Sequence, residues 1–249
     1  MRGRLSHILL LLLAWLSPAS ATAQQPLVAD LSSHLIAVTT GFVGQDLLLF
    51  GATDGEDDAD VIVVVRGPNA PIVVRRKDRV GGIWVNQDEV GIEGLPTYYF
   101  VAANRDLADI ASQTVLARHQ IGLNHLRYTQ SGGAHAEFAD FGKAALRNRQ
   151  RSGLYADSVR KVAFLGNRLF RTDVHFPSNV PTGSYTVTVY LIRNGAVESA
   201  QTTPLVVSKI GVGARVYDFA YAQSALYGIL AILLALFAGW LASVAFRRA

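Results

Sequence analysis

Residues 184–197, SYTVTVYLIRNGAV, spell a strand followed by a turn. Tyr185, Val187 and Val189 alternate with Ser184, Thr186 and Thr188, the period of two expected of a half-buried strand. The run meets Asn194-Gly195, the strongest short hairpin signal, and a type I′ turn needs positive φ at both residues. Just upstream, Pro181-Thr182-Gly183-Ser184-Tyr185 has the look of an immunoglobulin-like strand, in which a tyrosine hydroxyl ties the corner.

Similar short runs recur outward from this point. LFRTDVHFP, residues 169–177, places Phe170, Thr172, Val174 and Phe176 on one side and Arg171, Asp173 and His175 on the other. Earlier, HLIAVTTGFVGQDLLLFGAT (34–53) contains two candidate strands, 35–39 and 46–51. DVIVVVRG and PIVVRRKD are β-branched runs divided by the turn residues Gly67-Pro68-Asn69-Ala70, and 83–85, 97–101 and 205–207 complete the set. Between the two groups the period changes. Asn104 can cap a helix starting at Arg105, with Asp106 and Asp109 in its first turn and Leu107, Ile110 and Thr114 on one face. A second helix is expected over about 134–151, with Phe138, Phe141 and Ala145 on one face and Lys143, Arg147 and Arg151 on another. The expected fold is mainly β: an immunoglobulin-like β-sandwich spanning 24–217, with a helical hairpin inserted at about 105–151 and one C-terminal transmembrane helix. One sandwich is expected rather than two small sheets, because neither group has enough strands to close a core.

Both ends of the chain are apolar. Arg2 and Arg4 precede the apolar run 8–16, and Ala21-Thr22-Ala23 follows, the pattern of a signal peptide cleaved after residue 23. Residues 225–246 hold no charge, and 22 residues at ~1.5 Å each reach ~33 Å, enough to cross a ~30 Å hydrocarbon layer. Arg247 and Arg248 follow, with Tyr217, Asp218 and Tyr221 on the other side. Basic residues stay in the cytoplasm, so residues 247–249 form a cytoplasmic tail and the body faces the periplasm.

The net charge of +4 is a product of these ends. Between Gln24 and Tyr217 there are 19 basic and 18 acidic residues, so nothing points to nucleic acid. The charges are unevenly placed: residues 24–113 hold 13 acids and 6 bases, and residues 114–217 hold 5 acids and 13 bases. The chain has no cysteine, which excludes disulfides, thiolate nucleophiles and thiolate metal sites.

Three pieces, SSHLIAVTTGFVGQDLLLFGAT, HFPSNVPTGSYTVTVYLIRNG and YGILAILLALFAGWLASVAFRR, occur in this order across nearly all of the mature chain. In order and spacing they resemble a family of single-pass transmembrane proteins found mainly in alphaproteobacteria. The resemblance implies a periplasmic domain with a C-terminal anchor and, as a membrane partner, a permease of the sulfite-exporter type. It brings no catalytic residues to carry over.

The candidate sites are few. TDGEDDAD, residues 53–60, gathers Asp54, Glu56, Asp57, Asp58 and Asp60, a set of oxygens that could serve a calcium ion but lacks the spacing of an EF-hand loop. A solvated turn explains the same residues. His119 and His125 are six apart, unlike an i, i+4 metal pair. His135-Ala136-Glu137 has the H-x-E of zinc deaminases without their cysteines. His175 is expected at the surface. The basic face Lys143, Arg147, Arg151 suits anionic headgroups or an acidic partner, or is simply solvated. In the span, Ala231, Ala235, Gly239 and Ser243 recur every four residues, a stripe that lets another helix approach closely.

These residues point to a membrane-anchored periplasmic protein of the bacterial inner membrane, and the resemblance implies an accessory or interaction role beside a transporter. No enzyme activity and no cofactor are expected, and the partners are the lipid bilayer and either a permease or a second copy through the span. The alternative is a periplasmic module binding a small anion or a metal.

Overall fold

A computed structural model describes residues 26–55, 58–132, 137–211, 216 and 219–246. The expected signal peptide, Glu56, Asp57, His135, Tyr217, Asp218, Arg247 and Arg248 lie outside the described residues.

Alternation builds the first sheet. β1 (Leu27–Leu31), β3 (Gly44–Thr53), β11 (Leu169–Pro177) and β10 (Ala163–Leu165) lie side by side in that order, all antiparallel. Phe170, Thr172, Val174 and Phe176 are buried and their neighbours along β11 are exposed, so this sheet has one wet and one dry face.

The second sheet has six strands, in the order β2 (Leu35–Val38), β13 (Ala196–Lys209), β12 (Gly183–Arg193), β4 (Asp60–Arg66), β7 (Tyr99–Ala103) and β9 (Arg160–Lys161). β2 and β9 join their neighbours in parallel; the inner pairings are antiparallel. The β-branched run of β4 is buried from Asp60 to Val65, and β7 is buried along its whole length. Strands without alternation are covered on both faces. One face of this sheet meets the first sheet, where Tyr98 stacks on Phe176 at 4.9 Å and Tyr185 meets the same ring edge-on at 5.9 Å. On the other face lies the end of the helix Gln113–His119, where Tyr99 and Arg66 reach the Gln120 carbonyl and the His119 ring meets Tyr190.

Each of these two sheets draws strands from both sides of the helical insertion, and the buried apolar residues form a single cluster. These two sheets therefore share one core, but the expected strands around 71–78 and 83–85 lie outside them, in a separate three-stranded sheet. The Asn194-Gly195 turn has the expected geometry, with φ of 50° and 75°. The Tyr185 hydroxyl donates to the Pro181 carbonyl at 2.6 Å and closes the corner before β12.

The helical insertion departs from a two-helix hairpin. The first expected helix is broken into α1 (Leu107–Ile110) and α2 (Gln113–His119), followed by a 3₁₀ turn at Leu123–His125. Ala111 is extended, and Ser112 restarts the helix by accepting a hydrogen bond from the Val115 amide at 3.4 Å. Asp106, not Asn104, sits at the start of α1, and Asn104 turns instead toward β4. Arg66 fixes the far end of α2: its Nη2 donates to the His119 and Gln120 carbonyls at 2.6 and 2.9 Å, a cation at a helix C-terminus. The second helix, α3 (Phe138–Arg151), buries Phe141, Gly142 and Ala145. It packs on a third sheet of β5 (Ile72–Val80), β6 (Ile83–Glu93) and β8 (Thr129–Ser131). The C-terminal helix α4 runs over Ser224–Phe246.

Candidate functional site

Among the described residues α4 is the one helix long and apolar enough to cross a membrane, over Ser224–Val244 with a mean hydropathy of 2.3. None of that window is buried in the protein. Such exposure of Leu, Ile and Phe side chains on every side is unfavourable in water and matches a lipid environment. The bounds agree with the 225–246 read from the sequence. Ala231, Ala235, Gly239 and Ser243 are all exposed on α4, and a Cβ added at Gly239 would meet nothing within 4 Å. The stripe is open to a neighbour.

The acidic loop is already engaged by arginines. Asp60 is 6% exposed, and its carboxylate accepts from Arg105 Nε at 2.8 Å, from Arg105 Nη2, and from Asn104 Nδ2 at 2.8 Å. Asn104 Oδ1 in turn accepts from the Val61 amide at 3.0 Å. The Asp60 carboxylate raises the Arg105 guanidinium above its ordinary pKa, chiefly through their hydrogen bond. Asp54 pairs with Arg193, whose other nitrogen reaches Glu198 at 2.6 Å. Asp54 and Asp60 thus face separate arginines, while Asp58 is exposed in the turn between them. An open cleft of about 680 Å³ runs along this region, lined by Asp58, Asp60, Asn104, Arg105, Asp109 and Asn194 among others.

The described histidines are separate. The His119 ring meets Tyr190 edge-on at 5.3 Å. His175 is exposed, as expected, and its Nδ1 lies 2.6 Å from Asp46, its cross-strand partner on β3. His34 pairs with Asp30 at 2.9 Å. No cluster of three metal-ligating side chains occurs among the described residues. Lys143, Arg147 and Arg151 form an exposed row on α3, with Lys143 3.5 Å from Asp140.

Four of the buried tyrosines, around which the loops are arranged, leave little sign in the sequence. Each donates to a backbone carbonyl: Tyr98 to His175 and Tyr155 to Pro96 at 2.6 Å, Tyr99 to Gln120 at 2.8 Å, and Tyr185 to Pro181 at 2.6 Å. Burial pushes the Tyr99 and Tyr185 hydroxyls up to about 12, and raises Tyr98 and Tyr155 as well. These groups stay protonated at neutral pH and act as fixed donors. The pattern of aromatic residues predicts a core, but only the Tyr185 corner has a sequence signal, in its Pro-x-Gly-x-Tyr spacing.

No curated protein matches the chain. A family model does, over residues 26–248, and with the apolar helix already in view the chain belongs to the family described as "Putative transmembrane protein (Alph_Pro_TM)".

Proposed function

We propose that the protein is a non-enzymatic accessory or interaction protein of the bacterial inner membrane. Its β domain stands in the periplasm, α4 crosses the bilayer, and the C-terminus lies in the cytoplasm. The observation that carries this reading is the 21-residue apolar stretch of α4, none of it buried in the protein. The orientation is supported by Arg247 and Arg248 directly after the span, since arginines are retained on the cytoplasmic side.

The partner is an integral membrane protein, a permease of the sulfite-exporter type as the resemblance suggests, received along Ala231, Ala235, Gly239 and Ser243. In lipid, where apolar surfaces gain nothing by leaving water, helices associate by close packing, and small side chains permit it. The test is co-purification of the full chain from native membranes with the Ala235→Leu, Gly239→Leu double variant. The bulkier stripe separates the protein from its partner while leaving it in the membrane. An unchanged complex rejects the interface.

A further inference from the structure

The β5–β6 hairpin extends beyond what the fold needs. Its base is held: Val74, Val90 and Ile92 are buried, Arg75 pairs with Glu89 at 3.0 Å, and Arg76 pairs with Asp88 and Glu137 while lying over the Phe141 ring at 5.7 Å. Past Arg76 the two strands pair only with each other, and from Lys77 to Val80 they run roughly 10 Å at ~3.3 Å per residue. The hairpin ends in Gly81-Gly82, both at positive φ, a tight turn that needs no apolar neighbours. Yet Val80, Ile83 and Trp84 surround it, exposed by 55%, 67% and 68%.

Their placement is ordered. Val80 faces Ile83 across the turn, and Arg79 faces Trp84. Alternation puts Val80 and Ile83 on one side of the ribbon and Trp84 and Arg79 on the other, with Lys77 two residues before Arg79 on the same strand. The tip is therefore an apolar wedge with a tryptophan and two cations beside it. Tryptophan favours the boundary between hydrocarbon and headgroups, and lysine and arginine favour anionic headgroups.

Strand register puts the hairpin on the side from which the chain departs for the anchor. The start of β12 pairs with the ends of both β4 and β13, Thr186 opposite Arg66 and Gly183 opposite Val207. Pro68, on the way into β5, packs against Gly183, where an added Cβ would come within 2.8 Å of the ring. The chain thus enters the hairpin and leaves β13 toward α4 from the same end of the six-stranded sheet. The 14 residues 210–223 span at most roughly 50 Å.

We propose that the hairpin tip is a second membrane contact: Val80, Ile83 and Trp84 enter the outer interface of the bilayer that α4 crosses, with Lys77 and Arg79 on anionic headgroups. This inference rests on the membrane-anchored reading above. Two attachments, one covalently continuous and one reversible, would hold the domain in a fixed attitude on the membrane.

The test uses the cysteine-free full chain in nanodiscs of phosphatidylethanolamine and phosphatidylglycerol. Single nitroxide labels are placed through Ile83→Cys, through Phe50→Cys on the exposed face of β3, and through Leu233→Cys in α4. The ratio of oxygen to nickel-complex accessibility is read at each. The inference predicts a ratio at residue 83 severalfold above that at residue 50, and a drop toward the residue 50 value when Lys77→Glu and Arg79→Glu are added. A ratio at 83 equal to that at 50, with a high ratio at 233, overturns the tip contact and leaves the anchor standing. A low ratio at 233 overturns both. Shielding of residue 83 from both reagents assigns the tip to a protein surface and overturns the lipid contact, and a ratio unmoved by the charge reversals overturns the headgroup contact.

Discussion

Tyr98 and Tyr99 are neighbours in the chain and hold opposite layers of the domain. The Tyr98 hydroxyl donates across the core to the His175 carbonyl on β11, and the Tyr99 hydroxyl donates to the Gln120 carbonyl at the end of α2. Successive side chains of an extended segment point to opposite faces, so one dipeptide can serve both. Tyr99 also accepts from the Gly122 amide at 2.8 Å, which Tyr98 has no counterpart for. Tyr99→Phe orphans that amide and is expected to cost about 2 kcal/mol, against about 1 kcal/mol for Tyr98→Phe. Chemical denaturation of the two variants in detergent measures the difference; equal costs would remove Tyr99 from its bridging role.

The same hydroxyls give the protein an alkaline limit. Tyr99 and Tyr185 are raised by burial from 10.0 to about 12 in the folded chain. The folded state then holds these protons more tightly than the unfolded state. Their contribution is full below pH about 10 and is lost as pH rises from about 10 to about 12. The melting temperature is expected to fall across that window, and to fall less steeply in Tyr99→Phe. A melting temperature that is flat between pH 10 and 12 would contradict the burial of these rings.

Gln201 substitutes for a strand. Its amide oxygen accepts from the Ala29 nitrogen and its amide nitrogen donates to the Ala29 oxygen, both at 2.8 Å, so one side chain satisfies the free edge of β1 and ties it to β13. Gln201→Ala leaves both backbone groups of Ala29 without these bonds and is expected to cost about 2 kcal/mol. Gln201→Glu, which keeps the acceptor and loses the donor, is expected to be destabilised to a similar extent. A melting temperature unchanged in both variants would show that water serves β1 equally well.

Arg193, 13% exposed, gathers Asp54 and Glu198 and so fastens the acidic turn to the Asn194-Gly195 hairpin. Arg193→Ala is expected to destabilise the domain by about 1–2 kcal/mol, because the partly buried Asp54 loses its cation while the exposed Glu198 loses little. Calcium is expected to leave the melting temperature of the unaltered protein where it is, since a bound ion would raise it by mass action. A rise with calcium that disappears in Asp58→Asn would restore the loop as a cation site.

Much of the sheet structure is legible in local patterns. β11 shows its buried face by strict alternation, β4 shows burial on both faces by the absence of alternation, and Asn194-Gly195 specifies its own turn. The C-terminal span is readable because composition and length alone decide it. The break at Ala111-Ser112 is harder to see: Leu107, Ile110 and Thr114 satisfy a helical period that the Ser112 cap interrupts. β13 runs 14 residues, far past the expected 205–207, because its exposed half is held by pairing with β12 and not by apolar content. Asp46 beside His175, Arg105 on Asp60 and Gln201 on Ala29 join residues distant in sequence, and no local pattern announces such pairs. The same holds for the exposed tip of β6, whose Ile83 and Trp84 read as an ordinary strand until the neighbours they lack are known.

The central claim is that α4 crosses a membrane with the β domain outside. Because the natural chain has no cysteine, one introduced thiol reports one position. The direct measurement is labelling of Phe50→Cys and Ala249→Cys by a membrane-impermeant maleimide in intact spheroplasts and again after lysis. Labelling at residue 50 in intact spheroplasts, and at residue 249 only after lysis, is the predicted result. Equal labelling of residue 249 before and after lysis would contradict the claim.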